Sequence, residues 1–552
     1  MSHDWQPKAA AAKARTQARI PSPLCISASS LASRVIDLWK ERAALSPLDR
    51  EIIQLDATDL RDRLASRVYT ALQVTQAYIK SASLAHQAVN CLTDFFPEEA
   101  LERAKWLDQQ YDINQGPVGP LHGVPISVKD QVDIAGKDSP AGFLSQVGKN
   151  IAEQDAHVIQ ILRAAGAVFY CKTTLPQAIM HLETNSYLGP TTNPYNRNTI
   201  SAGGSSGGEG ALIAMKGSPL GIGTDIGGSI RSPAAANGIY GFKPTAGILP
   251  LIGFRNHGCI LGVDRIPPTQ GPMGRSIRDL ELYMQVVLAA EPWRRDPRPE
   301  TPQKRTRIGW FIDDGVVTPT APIRRGMEAT LSALRSCTDV ELVEFLPIEP
   351  EECWNLAASH NTITLRFVLV LNELEGKLYF CDGGQRLRAQ CAASGEPVLD
   401  LSEWILSQAA PEPVTLQEYS ALMLRRLELR NRVAAQWLSA EIDVLLCPAG
   451  ASVAPKLNTA RYWNYTSYWN LVNYPAMVIP TGLYVDGRID NLDQSRTSFR
   501  NPQDEYNTKS FDLKASEGLP ICVQLVGRIW QDQAVFSAAN KVDSVLRHLT
   551  KR

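Results

Sequence analysis

No stretch of this sequence approaches the roughly 18 apolar residues that a membrane-spanning helix needs. Charge of one sign is also missing. The 56 basic and 57 acidic residues leave a net charge of −1, so no strong field draws in nucleic acid or an anionic membrane surface. The ten cysteines form no C-x-x-C pair, and no Cys/His cluster has zinc-ligand spacing. In a chain of 552 residues they read as reduced, mostly buried thiols, which points to a reducing, cytoplasmic setting. The stretch Met1 to Ile20 is rich in Ala, Lys and Arg, as a mitochondrial presequence is. It carries Asp4, however, and its only hydroxyl residues are Ser2 and Thr16, so an exposed helical extension is the expectation. The final Leu549-Thr550-Lys551-Arg552 matches no peroxisomal or retention signal.

What is present is ordinary globular material, 44% hydrophobic and 20% charged, enough to bury a large core. From Asp59 to about Asp112 the pattern is helical, with Leu72, Val74, Ala77, Tyr78, Ser81, Leu84 and Ala85 near a 3.6-residue period and a second helix through Leu101, Ala104 and Trp106-Leu107. After the turn at Gly119-Pro120, alternation from Val124 to Val128 predicts a short strand ending at Lys129. Asp155 to Ala165 is an amphipathic helix stopped by Gly166, followed by a buried strand over Ala167 to Cys171. Further strands are expected at Ile308 to Ile312, Asp443 to Leu446 and Ile521 to Val526. Helices are expected near Ile323 to Leu334 and after a capping Asp532. Alternating helices and strands make an α/β protein. Pro292 to Arg307 is the best linker candidate, and Val485 to Glu517 reads as a polar surface insertion.

Chemistry concentrates where glycine does. Gly203-Gly204-Ser205-Ser206-Gly207-Gly208-Glu209-Gly210 is followed by Gly221-Ile222-Gly223-Thr224-Asp225-Ile226-Gly227-Gly228-Ser229-Ile230-Arg231. Such density implies unusual backbone angles or backbone lying close to a ligand. The P-loop spacing is absent, and Ile226 stands where a dinucleotide fingerprint needs its third glycine. Gly203 to Gly207 matches G-x-S-x-G, but the preceding residues 196–202 are polar rather than a hydrophobic strand, and the late histidines are only His360 and His548. A serine–lysine hydrolase fits better. A serine hydroxyl attacks only after a base takes its proton, and a lysine serves as that base once burial has made it neutral. Lys129, at the end of an apolar strand, suits this role. Gly227-Gly228 ahead of Ser229 lets successive N–H groups converge on an oxyanion. On composition alone, a glycine-rich turn carrying two ordinary serines explains the stretch equally well.

These residues resemble the amidase signature family. The resemblance rests on Gly203 to Gly208, on Gly223 to Ala234, on Gly241-Phe242-Lys243-Pro244-Thr245, and upstream on His122 to Asp130 and Gly166 to Thr173. Gly518 to Gly527 is similar to the family's closing strand. It covers roughly residues 50 to 548. Pro117 to Gly123 and Ala393 to Pro397 are similar to the fungal acetamidase-like branch. The resemblance implies a single α/β/α domain over residues 59–548, a central mixed sheet covered by helices, with residues 1–58 as a helical or loop N-terminal extension. It implies that Lys129 is the catalytic base, Ser205 the cis-peptide proton relay and Ser229 the acylated nucleophile. The N–H groups of Ile226, Gly227, Gly228 and Ser229 would form the oxyanion hole, and Ile179 and Met180 would line an acyl pocket. Neither metal nor cofactor is implied. The implied partner is a small-molecule amide, with no nucleic acid and no membrane, and homodimers are common among relatives. Two rivals are kept: hydrolysis of a specialised pathway amide or ester, and an ammonia-feeding amidotransferase subunit.

Around these residues, Asp225 and Arg231 are expected to form a salt bridge fixing the loop. Ser206 is expected to donate to Ser229 or Lys129, and Asp130 to point away from the site. His181 is redundant as a base beside a lysine. The aromatic cluster Tyr462, Trp463, Tyr465, Tyr468 and Trp469 is either a pocket wall or core packing.

Overall fold

The apolar runs at 125–129 and 168–173 become strands buried at every position, the first opened by proline, which is tolerated at a strand's first residue. The computed structural model describes residues 5–27, 31–258, 265–290, 305–345 and 377–549. Its strands are β1 (Leu92–Phe95), β2 (Pro125–Lys129), β3 (Val168–Thr173), the hairpin pieces β4 (Asn185–Ser186), β5 (Gly189–Pro190), β6 (Thr192–Asn193) and β7 (Asn196–Ser201), then β8 (Leu220–Asp225), β9 (Tyr240–Lys243), β10 (Thr269–Gly274), β11 (Thr306–Trp310), β12 (Val340–Glu344), β13 (Val444–Pro448), β14 (Ala476–Tyr484) and β15 (Pro520–Gly527).

Eleven of them form one sheet in the order β1-β3-β2-β8-β10-β9-β14-β15-β13-β11-β12. It is mixed. β2 runs parallel to β3 and β8, β11 runs parallel to β12 and β13, and the middle of the sheet is antiparallel. The β2–β8 pairing sets Ser127 beside Gly221 and Val128 beside Ile222. The C-terminal ends of these two neighbouring strands therefore carry Lys129 and Thr224 to the same edge of the site.

The helical region is more divided than its periodicity suggested. It comprises Ala57–Ala65, Ala71–Val89 and Pro97–Asn114, with β1 between the last two. Four residues are too few to show alternation, and β1 exists because β3 offers it an antiparallel edge. A capping box at Thr70 and Gln73 starts the long helix, and left-handed Asn90 ends it. The helices expected near 155–165 and 323–334 span His157–Ala164 and Ala321–Leu334. Asp532 opens the last helix, Asp532–Leu549, and its carboxylate accepts from the N–H and hydroxyl of Thr245.

The N-terminal residues are less free than an exposed extension. Helix Trp5–Ala18 buries Ala9, Ala12 and Thr16, and the Thr16 hydroxyl donates to the Thr93 carbonyl at 2.7 Å. Ile20, Leu24, Trp39 and Ile52 join the same hydrophobic core as the sheet. Most of Pro292 to Arg307, with Cys259, Cys353 and His360, lies outside the described residues. The eight described cysteines are all free thiols. Among the described residues no helix is long and apolar enough to cross a membrane.

Candidate active site

Lys129 is completely buried, and its Nζ lies 2.7 Å from Ser205 Oγ and 2.7 Å from Thr224 Oγ1. Burial pushes the amine down to about 7, against the opposing pull of the Asp225 and Glu209 charges. Thr224 in turn donates to Gln131 Oε1 at 2.9 Å, and the Gln131 amide is oriented by its own donation to the Arg255 carbonyl. The Thr224 proton is therefore committed, and its oxygen can only accept from Lys129. Lys129 Nζ lies within donating distance of the Ser205 hydroxyl as well as that of Thr224.

Ser205 follows a cis Gly204–Ser205 peptide. A Cβ at Gly204 would stand 2.6 Å from the His181 carbonyl, so only glycine fits against that neighbouring strand of chain. Ser206 N–H donates to the Ser229 carbonyl at 3.1 Å, which brings the two serine loops into contact. The Ser206 hydroxyl does not donate to Ser229 or Lys129 as expected. It bonds the backbone of Thr224 instead, accepting from its N–H and donating to its carbonyl. Ser229 is 5% exposed, more open than wholly buried Ser205.

The loop before Ser229 is held from one side. Tyr379 OH donates to the Ile226 carbonyl at 2.7 Å, and Thr466 Oγ1 donates to the Gly227 carbonyl at 2.8 Å. Beneath it, Asp225 accepts from Arg231 in a two-pronged bridge with both contacts at 3.0 Å, from Asn470 Nδ2, and from the N–H groups of Gly228 and Ile230. Burial alone would raise this carboxyl. The Arg231 charge and the hydrogen bonds outweigh it and hold the group well below the usual carboxylate range. The expected four-donor oxyanion hole needs one correction: the Gly228 N–H is committed to Asp225. The N–H groups of Ile226, Gly227 and Ser229 have no acceptor among the described residues.

Two predictions arise here. Gly228 has φ +128°, and a Cβ there would overlap the Thr466 hydroxyl. Gly228→Ala should twist the donors off target and lower kcat about 100-fold or more; an unchanged kcat would show that the loop tolerates the shift. Arg231→Met should strand a buried charge at Asp225, since both side chains are fully buried. The expected cost is about 3–5 kcal/mol, read as a lower denaturation midpoint. A midpoint equal to wild type would mean the bridge adds nothing.

The remaining expectations divide. Asp130 points away, accepting from the Ala141 N–H and lying 3.9 Å from Lys172. Burial pushes His181 down to about 4, leaving it neutral. Ile179 and Met180 are buried, Met180 in one hydrophobic cluster with Trp463 and Tyr465, and Ile179 packed with Ala141 and Leu175. Trp469 packs in the core, while Tyr462, Trp463 and Tyr465 also line a cavity of about 100 Å³.

Sequence reasoning assigned no role to Thr224, Gln131, Tyr379, Thr466, Asn470 or Glu209. Glu209 lies below the lysine and accepts from Ser127 at 2.5 Å and Thr173 at 2.9 Å, and burial pushes it up to about 8. Only Thr224 and Glu209, lying within the glycine-rich stretch, carried a local signal.

The family model described as Amidase matches residues 73–536. A putative amidase of Schizosaccharomyces pombe is 39% identical, with 99% of this chain and all of that protein covered. An acetamidase of Aspergillus oryzae is 34% identical over 99% of this chain and 100% of its own length. Among solved structures, a fatty acid amide hydrolase superposes with a TM-score of 0.89 at 30% identity, covering 98% of this chain and 95% of that one. With the match running through both serine loops and the lysine strand, the chain belongs to the amidase signature family of amide hydrolases.

Proposed function

We propose that this amidase cleaves linear carboxylic amides to a carboxylate and ammonia or an amine through a Ser-Ser-Lys acyl-enzyme mechanism, with no metal or cofactor in the reaction. Neutral Lys129 takes the proton of Ser205, which takes that of Ser229. Ser229 attacks the amide carbonyl, and the developing oxyanion is met by the N–H groups of Ile226, Gly227 and Ser229. The relay returns the proton to the leaving nitrogen, and water then hydrolyses the acyl group by the same path. The observation that carries this reading is the 2.7 Å contact between Ser205 and a lysine that burial holds near 7.

The acetamidase relatives support short aliphatic amides as substrates, with Ile179 and Met180 as candidates for the acyl wall. The test is an amide panel from acetamide to long-chain and aryl amides, read by ammonia or amine release. Turnover of short amides supports the reading. Turnover confined to long-chain or aryl amides would remove the acetamidase-like part, and no amide turnover at all would remove the function. The free thiols support a reducing, cytoplasmic setting.

A further inference from the structure

The polar insertion between β14 and β15 hides an unusual face. Its helix, Pro502–Ser510, turns Gln503, Tyr506, Asn507 and Ser510 toward the 100 Å³ cavity, a spacing of three, four and seven residues. A helix packed on a protein body normally lays an apolar stripe inward. This one lays a polar stripe, which presents hydrogen-bonding groups to the space it covers. The volume is several times what a single water needs.

Among the described residues, three buried donors there are unpaired. Arg461 Nε, Gln503 Nε2 and Trp463 Nε1 are buried N–H groups on lining side chains, and none has a hydrogen-bond partner among the described residues. A buried N–H left unpaired is destabilising, so an acceptor that pairs with these groups gains by satisfying them. The Arg461 guanidinium stacks over the Tyr506 ring, with its carbon 5.2 Å from the centroid. The nearby carboxylates are already engaged. Asp512 lies 3.7 Å from Lys456, and Glu183 accepts from the N–H groups of Asn458, Thr459 and Ala460, each at 2.8 Å. Arg461 acts on the Glu183 carboxylate through space but forms no ion pair with it among the described residues, and a guanidinium that shares a cavity lining with two neutral N–H donors suits a carboxylate.

The cavity also touches the reacting loop. Ser232, three residues beyond Ser229, lines it, and so does Thr466, which holds the Gly227 carbonyl.

We infer that the cavity between the Pro502–Ser510 helix and the 449–463 loop binds a small carboxylate, held by Arg461, Gln503 and Trp463. The carboxylate is either free or borne by the amide substrate at the end remote from the scissile bond. Only the second source rests on the hydrolase reading.

Isothermal titration of the full chain with glutarate tests the site without turnover, so its outcome is independent of whether any amide is cleaved. Wild type should bind, and Arg461→Gln and Gln503→Leu should each weaken binding at least tenfold while keeping the wild-type thermal midpoint. If Arg461→Gln unfolds, Arg461→Lys, which keeps the charge but loses the fork, supplies the same comparison. No heat with wild type, or binding untouched by both substitutions, overturns the site. Kinetics then separate the sources. Glutarate that raises KM for an uncharged amide, with the monoamide of glutaric acid favoured over that amide by a margin Arg461→Gln removes, identifies the substrate's own carboxylate. Glutarate that binds without moving that KM identifies a separate anion.

Discussion

Ser229→Ala should abolish covalent labelling by a fluorophosphonate and lower kcat by about 10⁶-fold, the scale of loss when a serine hydrolase loses its nucleophile. The substitution removes a single oxygen from a side chain that is already almost buried, and the surrounding scaffold does not depend on it. The Ser229 carbonyl still accepts from Ser206, and Asp225 still gathers Arg231, Gly228 and Ile230. A lost reaction in a normally folded variant therefore reports chemistry rather than collapse. Labelling of the alanine variant at the wild-type rate would move the nucleophile elsewhere, with Ser205 next in line.

Lys129→Ala carries the second large effect, a fall in kcat of about 10²–10⁴-fold, the usual contribution of a positioned general base. Alanine also leaves a cavity where the fully buried Lys129 side chain stood, which costs stability of its own. Lys129→Met, which fills the space without a base, separates the two effects. Both variants should be crippled, and only alanine should also lose stability. In the wild type, burial disfavours the ammonium, so the proton leaves near pH 7. Activity should climb about tenfold per pH unit below that point, where the amine is still charged, and level off above it. A flat profile between pH 5 and 8, or near-normal turnover by Lys129→Met, would take the lysine out of the role.

The site was legible where its parts are local in sequence. Lys129 could be placed because a Gly/Pro turn and a short alternating run fix a strand's end within a few residues. The Asp225–Arg231 bridge spans a single turn of chain. What could not be read is what closes the site from a distance. Tyr379 and Thr466 stand more than 150 residues from the carbonyls they hold, and Gln524 reaches Arg231 from the last strand of the sheet. No periodicity encodes those meetings; they follow from the order in which eleven strands pair. The insertion is the polar surface segment its composition suggests, but its lining role could not be read. Its polar positions look like a solvated face from sequence alone, and only packing shows that half-buried Gln503, Tyr506 and Asn507 line a cavity. β1 escaped because four residues draw their structure from a neighbour rather than from their own pattern.

The placement of those distant tethers has a consequence for synthesis. Every group that the proposed mechanism uses to exchange a proton or form a bond lies between residues 129 and 229, in the first half of the chain. The hydroxyls and amides that hold the loop's carbonyls and its buried ion pair come from residues 379, 466, 470 and 524. A nascent chain that already carries lysine and both serines has nothing to hold its three free N–H groups on a common point. On the proposed mechanism, hydrolytic competence therefore waits for the closing strand, which supplies Gln524 to the buried ion pair.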